Sequence, residues 1–539
     1  MKKYIFSIII MVGLATLFNA CTDLEEIVYT EIISEEFEPS EEDVIPIIGP
    51  AYTSLRNFYF GWHSYFDSQE ECSDVSVTPV RPNGWDDGGV YKRMHRHIWT
   101  STQSHVGGIW GRCYTGINNA NRALYQIESG ILPIPLGKEN IIAELKAIRA
   151  FYYYILCDNF GNVPIVTRFD VEEGYLPEQN TRQEVYDFVI SELTSNIDLL
   201  TEVVDQSTYG RLTKWGAKAI LAKMYLNAGV YTGTTTQWTS CIAVCDDIIA
   251  SGKYILAANY NDNFVTYNEN CPELIFTVPY DEIYASWFHL HMKTLHPANQ
   301  QTYNISSSPW GGSCAIPQFI DTYDPDDSRI EDTWLMGLQF SATGDTLYCT
   351  MDPALANTPL EFTNFLQSTY ETEEFEGYRL IKYEPKIGAL GQLSNDFVIF
   401  RYADVLMMKA ECLLRNGDAN AAAALVTQVR QRAFIDNPGK ATVSGAELSA
   451  GSSYNYGLVE NGVIVEQEGG DDIVYGRFLD ELGWEFAIEA RRRQDLIRFG
   501  VFTTKKWLSH EPNGDYRTIF PIPERQLESN PNLTQNPGY

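Results

Sequence analysis

The stretch from Arg401 to Ala433, RYADVLMMKAECLLRNGDANAAAALVTQVRQRA, predicts two consecutive helices that pack against each other. Its first half carries two adjacent apolar stripes at helical spacing: Ala403, Leu406, Ala410 and Leu413 in one, and Val405, Met408 and Cys412 in the other. An amphipathic surface helix shows one such stripe, so this helix must be covered on two sides. Because one hairpin cannot bury both faces, further helices of the same kind are expected.

The residues between the two halves explain where each helix ends. Asn416 and Gly417 tolerate the left-handed conformation that ends a helix, and Asp418 can cap the next one. The second helix has a small inner face made of Ala422, Leu425, Val429 and Ala433. The unit spans about 34 residues, which is the period of tetratricopeptide repeats. We therefore predict a mainly α fold built from tetratricopeptide-like helical pairs.

Helical spacing recurs in two parts of the chain, about 108–252 and about 400–500, which we predict to form the scaffold. A helix is expected from Lys138 to Cys157, and Thr181 with Glu184 forms a capping box for the next one. Gly229 is expected to end a further helix. The last helical stretch is expected to run from Arg477 to Phe499.

The helical period is lost between about 253 and 399, where Gly, Pro, Asn and Ser become frequent. Together with about 60–100, this segment predicts an irregular, loop-rich lobe with few short strands. Loop-rich regions of this length inside a compact protein are more often functional than idle. The lobe is therefore the expected binding region.

The N-terminus has the form of an export signal. Residues 1–20 begin with Lys2 and Lys3 and continue with an apolar run, which is typical of a signal peptide. Phe18-Asn19-Ala20-Cys21 resembles a lipobox, so Cys21 is the predicted lipidation site, with plain secretion as the alternative. Residues 21–45 form an acidic tether in this interpretation, and 46–539 form a single domain.

Charge and cysteine content exclude several classes of protein. The net charge of −32, or −34 without Lys2 and Lys3, repels phosphate backbones, so nucleic-acid binding is not expected. Nine cysteines remain beside Cys21, an odd number without CxxC pairs, and they predict buried thiols rather than a disulfide framework. Aromatic residues make up 13% of the chain, which suits a surface that stacks on flat ligand faces.

Several motifs follow one another in an order that is specific to one family. They are INNAN at 117–121, RAFY at 149–152, FGNVP at 160–164, YDPDDSR at 323–329, RYAD at 401–404, EARRRQDLIRFG at 489–500 and QNPGY at 535–539. With the lipobox, the chain resembles the SusD/RagB family of outer-membrane nutrient-binding lipoproteins along nearly its whole length. Arg493-Gln494 departs from the aromatic residues that are frequent there.

The resemblance implies a SusD-like fold, in which a tetratricopeptide-like framework holds an irregular binding lobe. It also implies a partner, a SusC-like TonB-dependent outer-membrane transporter that the lipoprotein covers as a lid. The family's ligands are glycans or, in some members, peptides. The expected location is the outer membrane, on the cell surface, with a lipid anchor.

Two stretches combine aromatic rings with polar groups, as a sugar-binding site requires. The first contributes Arg81, Asn83, Trp85 and Tyr91 on a glycine-rich loop that is expected to be exposed; the second contributes Tyr284, Trp287 and Trp310. The alternative for both is a loop that folds inward and fills the core. Trp110 and Trp238 lie on helical stripes and are expected in the core.

Catalytic and metal-binding alternatives have weaker sequence support. Glu481, Glu485 and Glu489 lie four residues apart, but Arg492 and Arg493 follow, which predicts a charged helix face with i,i+4 pairs. His95 with His97, and His289 with His291, could each present two imidazoles on one side of a strand, without a third ligand nearby. We predict a non-catalytic glycan-binding lipoprotein without cofactor or metal; the alternatives are a peptide-binding RagB-like member or a secreted glycoside hydrolase.

Overall fold

The computed structural model describes residues 41–82, 86–134, 137–234 and 236–539. Its α-helices are α1 (Glu41–Phe60), α2 (Tyr65–Glu70), α3 (Val90–His95), α4 (Ser104–Glu128), α5 (Lys138–Asn159), α6 (Arg182–Asn196), α7 (Lys214–Leu226), α8 (Ala228–Thr232), α9 (Trp238–Ala250), α10 (Leu290–Thr294), α11 (Gln300–Tyr303), α12 (Pro317–Ile320), α13 (Arg329–Thr333), α14 (Tyr402–Arg415), α15 (Ala419–Arg430), α16 (Gly445–Leu448), α17 (Gly476–Phe486), α18 (Arg492–Arg498) and α19 (Glu524–Ser529). None of the helices within these residues has the length and apolar content needed to cross a bilayer.

The strands are short. They are β1 (Ser76–Val77), β2 (Val163–Pro164), β3 (Gln179–Asn180), β4 (Leu274–Val278), β5 (Cys314–Ala315), β6 (Trp334–Leu335), β7 (Gly337–Leu338), β8 (Glu361–Phe362), β9 (Arg379–Leu380), β10 (Phe397–Arg401), β11 (Gly457–Glu460), β12 (Val463–Gln467) and β13 (Trp507–Leu508). They pair as β1–β5, β2–β3, β4–β10, β6–β9 and β7–β8, and in the order β12–β11–β13. The predicted mainly α fold with few short strands is confirmed.

The long helices form the scaffold by packing on their neighbours in sequence and in space. α4 packs on α1 and α5, α5 on α6, α7 on α9, α9 on α14, and α14 on α15. The predicted hairpin is confirmed: Gly417 adopts a φ of 91°, and the Asp418 side chain accepts a hydrogen bond from the Ala421 amide at 3.2 Å. α14 is covered on two sides because α9 and α15 both lie against it.

Two predicted helix boundaries are wrong. The helix before Gly229 ends at Leu226, and a new one from Ala228 to Thr232 includes the glycine, because the Asn227 side chain hydrogen-bonds the Lys223 carbonyl at 2.9 Å. The stretch from Arg477 to Phe499 is two helices rather than one. Ile488 and Ala490, between them, adopt positive φ angles of 65° and 57°, which an α-helix does not allow.

The loop-rich lobe leaves the scaffold and returns to it at one place. β4 lies near the start of the segment and β10 at its end, and the two strands pair antiparallel with Phe397 opposite Val278. β10 leads directly into α14, so the base of the lobe joins the helical hairpin. Most of the buried apolar residues of scaffold and lobe belong to one cluster that extends from Ile48 to Ile522. The lobe is therefore fixed to the scaffold by shared core.

Candidate functional site

Trp62 and Trp310 form a stacked pair of aromatic rings on the lobe. Their ring centroids lie 5.2 Å apart and their planes differ by 25°. Trp62 follows directly after α1 and remains 48% exposed, whereas Trp310 is half-buried. The outer ring of the pair therefore faces solvent while the inner one supports it, which is an arrangement that can accept the C–H face of a sugar.

Backbone hydrogen bonds hold the segment of Trp310 against α10. The amides of Trp310, Gly311 and Gly312 donate to the carbonyls of Met292, Leu295 and Lys293 at 2.7, 2.9 and 2.8 Å. Gly311 has a φ of 70°, a conformation that L-residues rarely adopt, so the turn that presents Trp310 requires glycine there. Trp310 also packs against the small apolar cluster formed by Met292, Leu295 and Ile305. These contacts give the inner ring a fixed position.

Arg112 fixes the segment of Trp62. Its guanidinium donates to the carbonyl of Trp62 at 2.9 Å and to that of His63 at 3.3 Å. The next side chain, His63, lies 2.5 Å from the Asp87 carboxylate through its Nε2 atom. The exposed ring is thus attached to α4 on one side and to the segment before α3 on the other.

A second loop, residues 281–287, presents two further predicted binding residues. The Asp281 carboxylate accepts hydrogen bonds from the amides of Ile283 and Tyr284 at 2.9 and 2.7 Å, which forms a tight turn. Tyr284 at the tip is 89% exposed, and Trp287 is 41% exposed. Trp287 has a φ of 109°, a strained value for a bulky residue, and its amide donates to the Gln392 side chain at 2.7 Å.

His289 connects this loop to the stacked pair. Its ring centroid lies 5.3 Å from that of Trp62 and 5.7 Å from that of Trp310. Burial lowers the pKa of His289 to about 4, although the Asp67 carboxylate and a hydrogen bond to the Trp287 backbone act in the opposite direction. The imidazole is therefore neutral at neutral pH; its ring lies beside both tryptophans of the stacked pair, and Trp287 lies two residues before it in the sequence. We call Trp62, Trp287, His289 and Trp310 the aromatic cluster.

Two of the predicted binding residues lie in the interior instead. Arg81 is buried and donates to the backbone carbonyls of Glu373 at 2.7 Å and Gly312 at 3.4 Å. Tyr91 is buried as well, with the Lys293 ammonium 4.5 Å from its ring centroid. The expectation that these two side chains are exposed is wrong, because both ends of their loop fold into the protein. Asn83, Trp85 and the lipidation residue Cys21 lie outside the described residues.

Comparison with known proteins identifies the family. The profile described as "SusD family" matches residues 272–539, and the one described as "Starch-binding associating with outer membrane" matches residues 54–226. The chain belongs to the SusD/RagB family. The two matched regions contain the scaffold except for residues 227–252, and they contain all four residues of the aromatic cluster.

Relatives match this SusD/RagB member over most of their length. The SusD-like protein P25 of Formosa agariphila is 26% identical over 99% of both chains. The starch-binding protein SusD of Bacteroides thetaiotaomicron is 24% identical over 84% of this chain and 82% of its own. A solved structure named "Laminarin binding SusD-like protein" has a TM-score of 0.69 at 21% identity and covers 93% of this chain and 100% of its own. This last likeness confirms the SusD-like fold.

The glutamates that sequence spacing offered as catalytic candidates are buried in an ion-pair network. Arg401 contacts Glu273, Glu485 and Glu489 at 2.9, 2.6 and 2.8 Å, and it does so beneath the base of the lobe. Burial would raise the pKa of Glu485, but the guanidinium groups of Arg432, Arg401 and Arg329 hold it well below its usual range. A carboxylate held ionised in this way is a poor proton donor. The network joins lobe and scaffold.

The predicted charged helix face is therefore wrong. Glu481 and Glu485 lie on α17, Glu489 lies in the break before α18, and all three are buried. Arg492 pairs with Asp74 at 2.7 Å and Arg493 with Asp158 at 3.3 Å, instead of with Glu489. Sequence spacing placed these charges on one surface helix because it could not show that the helix breaks and is enclosed.

The histidine pairs do not lie on strands. His95 ends α3, His97 follows it with a φ of 50°, and His289 and His291 flank the start of α10. Among the described residues, no group of three or more His, Cys, Asp or Glu side chains could hold a metal ion. The nine cysteines from Cys72 to Cys412 are free thiols, and all except the half-buried Cys271 are buried, as predicted.

Sequence reasoning missed two members of the aromatic cluster. Trp62 lies in FYFGWHSYF, which has the composition of a core segment. Gly61 was the available signal, because a glycine directly after a helical apolar run indicates that the following tryptophan lies in a turn. His289 was considered only as a metal ligand. Its role as a neutral ring between tryptophans depends on burial, which spacing does not show.

Proposed function

We propose that this chain is a cell-surface glycan-binding lipoprotein that captures an oligo- or polysaccharide on the aromatic cluster and delivers it to a SusC-like TonB-dependent transporter. The observation that carries the proposal is the exposed Trp62 ring, stacked on Trp310 and supported by His289, on the lobe of a SusD/RagB protein. The names of two relatives, a starch-binding and a laminarin-binding protein, support a glycan ligand.

Binding on this surface would combine stacking with hydrogen bonds. The flat C–H face of a pyranose ring would lie on Trp62, while Trp287 and Tyr284 would contact a sugar further along the chain. Each stacked ring contributes on the order of 1–3 kcal/mol by removing apolar area from water. The amide of Gln392 accepts from Trp287 and keeps its NH₂ group for a sugar hydroxyl. No proton transfer is required, so capture without cleavage is the proposed role.

The family and the N-terminal sequence support a location at the outer membrane with a lipid anchor. Lipidation of Cys21 would anchor the mature chain in the outer membrane, and several acyl chains on one residue anchor stably. The acidic tether was predicted over residues 21–45, but α1 already begins at Glu41, so the residues before Glu41 would separate the binding lobe from the membrane. Anchoring beside the transporter would keep the ligand close to the barrel after capture.

Two experiments test the ligand class. Affinity electrophoresis measures binding to a panel of polysaccharides, and calorimetry measures binding to peptide mixtures. Retardation by at least one polysaccharide supports the proposal, whereas heat of binding with peptides alone would favour the RagB-like alternative. Co-purification of the full-length protein from outer membranes with a TonB-dependent barrel examines the partner. Recovery of the lipoprotein alone under mild detergent, at several salt concentrations, would contradict delivery through such a complex.

A further inference from the structure

Charged side chains border the aromatic cluster, and those of positive charge already have partners within the protein. Lys386 lies 2.9 Å from the Glu282 carboxylate and 5.6 Å from the ring centroid of the exposed Tyr267. The hydrogen bond with Glu282 raises the pKa of Lys386. This ammonium group stands beside the Tyr284 loop, yet its charge is neutralised there.

Two arginines beside the cluster donate hydrogen bonds to backbone carbonyls. Arg112 donates to the carbonyls of Trp62 and His63, as described above, and the Nε of Arg56 donates to the Pro279 carbonyl at 2.9 Å. Both guanidinium groups therefore hold loops in place. Reorienting either one toward a ligand would release a loop that carries a cluster residue.

Beneath the aromatic cluster, the cationic side chain is paired with carboxylates. Lys293 contacts the carboxylates of Asp67 and Glu71, the latter at 2.6 Å, and all three groups are buried. Farther out, Lys92 lies 2.7 Å from Asp86. Residues 83–85, which lie outside the described part of the chain, are Asn-Gly-Trp and include no charged side chain.

Three buried imidazoles around the cluster, those of His289, His291 and His105, are neutral at physiological pH. Burial lowers the pKa of His289 and of His291 to about 4 and that of His105 to about 3. Asp67 opposes this effect at His289 and His105, and the Leu390 carbonyl opposes it at His291. These rings thus contribute shape and polarity to the surface, and they offer no positive charge to a ligand.

We infer that the site selects uncharged glycans and discriminates against sulfated or uronate-rich ones. The inference rests on the proposed glycan-binding function. A sulfate or carboxylate group brought onto the cluster would lose water without gaining a cationic partner, because Lys386, Arg112 and Lys293 are already engaged by the protein. Neutral hydroxyls need only amide, carbonyl and aromatic partners, which this surface provides.

Two sets of probes test the selectivity by affinity electrophoresis of the purified chain at physiological salt. The neutral set is soluble starch, laminarin, dextran and galactomannan; the polyanionic set is dextran sulfate, heparin, alginate and polygalacturonate. Retardation by one or more neutral probes and by none of the polyanions is expected. Retardation by a polyanion that equals or exceeds that of the neutral probes would overturn the inference and leave glycan binding standing. Retardation by neither set would overturn the proposed function together with the inference.

A pair of variants separates the site from the overall charge of the protein. Glu282→Gln would release Lys386 next to the cluster, and Asp246→Asn would release Lys409, which lies 2.5 Å from Asp246 on the scaffold. Both change the net charge equally. Glu282→Gln is expected to increase affinity for dextran sulfate at low salt by roughly threefold or more, and Asp246→Asn is not. Equal affinities in the two variants would show that pairing of Lys386 does not control selectivity.

Discussion

Trp62 and Trp310 stack at a centroid separation of 5.2 Å, although they come from the two separate sequence segments that form the lobe. One ring follows the first long helix and the other lies on a glycine turn held by α10. Hydrogen bonds hold the backbone segment of each tryptophan in place. The stacked pair is therefore already formed before a ligand binds. Preorganisation of this kind reduces the entropy that binding must overcome.

The ion-pair network at the base of the lobe predicts that replacing Glu485 will strongly reduce the stability of the fold. Its carboxylate contacts Arg401 and Arg432 at 2.6 Å and Arg329 at 3.0 Å, and all four side chains are buried. Glu485→Ala would leave three guanidinium groups short of a partner and should lower the free energy of unfolding by about 3–5 kcal/mol. Urea denaturation measures this loss. The exposed Glu528→Ala serves as control and should lose less than about 0.5 kcal/mol; equal losses would contradict the structural role of the network.

Stability should depend on pH through Glu374. Burial would raise its pKa, but hydrogen bonds from His296 and from the amides of Met351, Asp352 and Thr350 hold the pKa at about 2, below the usual 4.5. A carboxylate with a depressed folded-state pKa stabilises the fold above its unfolded pKa, and that stability is lost as pH falls through the folded pKa.

The measurement compares wild type with Glu374→Gln in urea at several pH values from 7 downward. The variant should be less stable at pH 7, and the difference should narrow as pH falls from about 4.5 toward 2. If the difference in unfolding free energy between wild type and variant stays constant across this range, ionisation of the Glu374 carboxylate does not stabilise the fold.

Leu406 tests the packing of α14. This residue is buried between the neighbouring helices, so Leu406→Asp would place an unpaired charge in a packed interface. The expected loss is more than about 3 kcal/mol of unfolding free energy. Ala424→Asp, at an exposed position of α15, introduces the same charge and should change stability little. An unchanged melting temperature in Leu406→Asp would mean that α14 is not enclosed.

Cys21 tests the anchor. Cys21→Ala should leave the exported protein in the soluble fraction, whereas the wild type should partition into detergent with the membranes. Cys72→Ala is a suitable control because Cys72 is a buried thiol of the folded domain. Detergent partitioning of the Cys21 variant would assign the membrane attachment to another part of the chain.

Sequence pattern predicted the scaffold well because its helices carry their own signals. The double stripe of α14, the left-handed Gly417 and the Thr181–Glu184 capping box are local features, and each is present in the structure. The break at Ile488 and Ala490 was not predictable in this way. Its positive φ angles belong to two residues other than glycine, which rarely adopt them, and the burial of Glu485 and Glu489 with Arg401 holds them there.

The aromatic cluster was predicted only in part. Tyr284, Trp287 and Trp310 were named because aromatic residues stand among glycines and polar residues, and the first two are exposed. Arg81 and Tyr91 have the same local composition and are buried. Composition cannot separate these cases, because the direction in which a loop folds depends on distant partners such as Gly312 and Lys293. Trp62 was missed for the same reason.

The most direct test of the central claim is the affinity of Trp62→Ala for the polysaccharide that the panel identifies, measured by calorimetry beside the melting temperature. Tyr348→Ala is the control, because Tyr348 is 47% exposed and Trp62 is 48% exposed. Removal of the stacking ring should weaken binding roughly tenfold or more, which corresponds to about 1.4 kcal/mol, with little change in melting temperature. Unchanged affinity in Trp62→Ala, or an equal loss in Tyr348→Ala, would contradict the assignment of the aromatic cluster as the glycan-binding site.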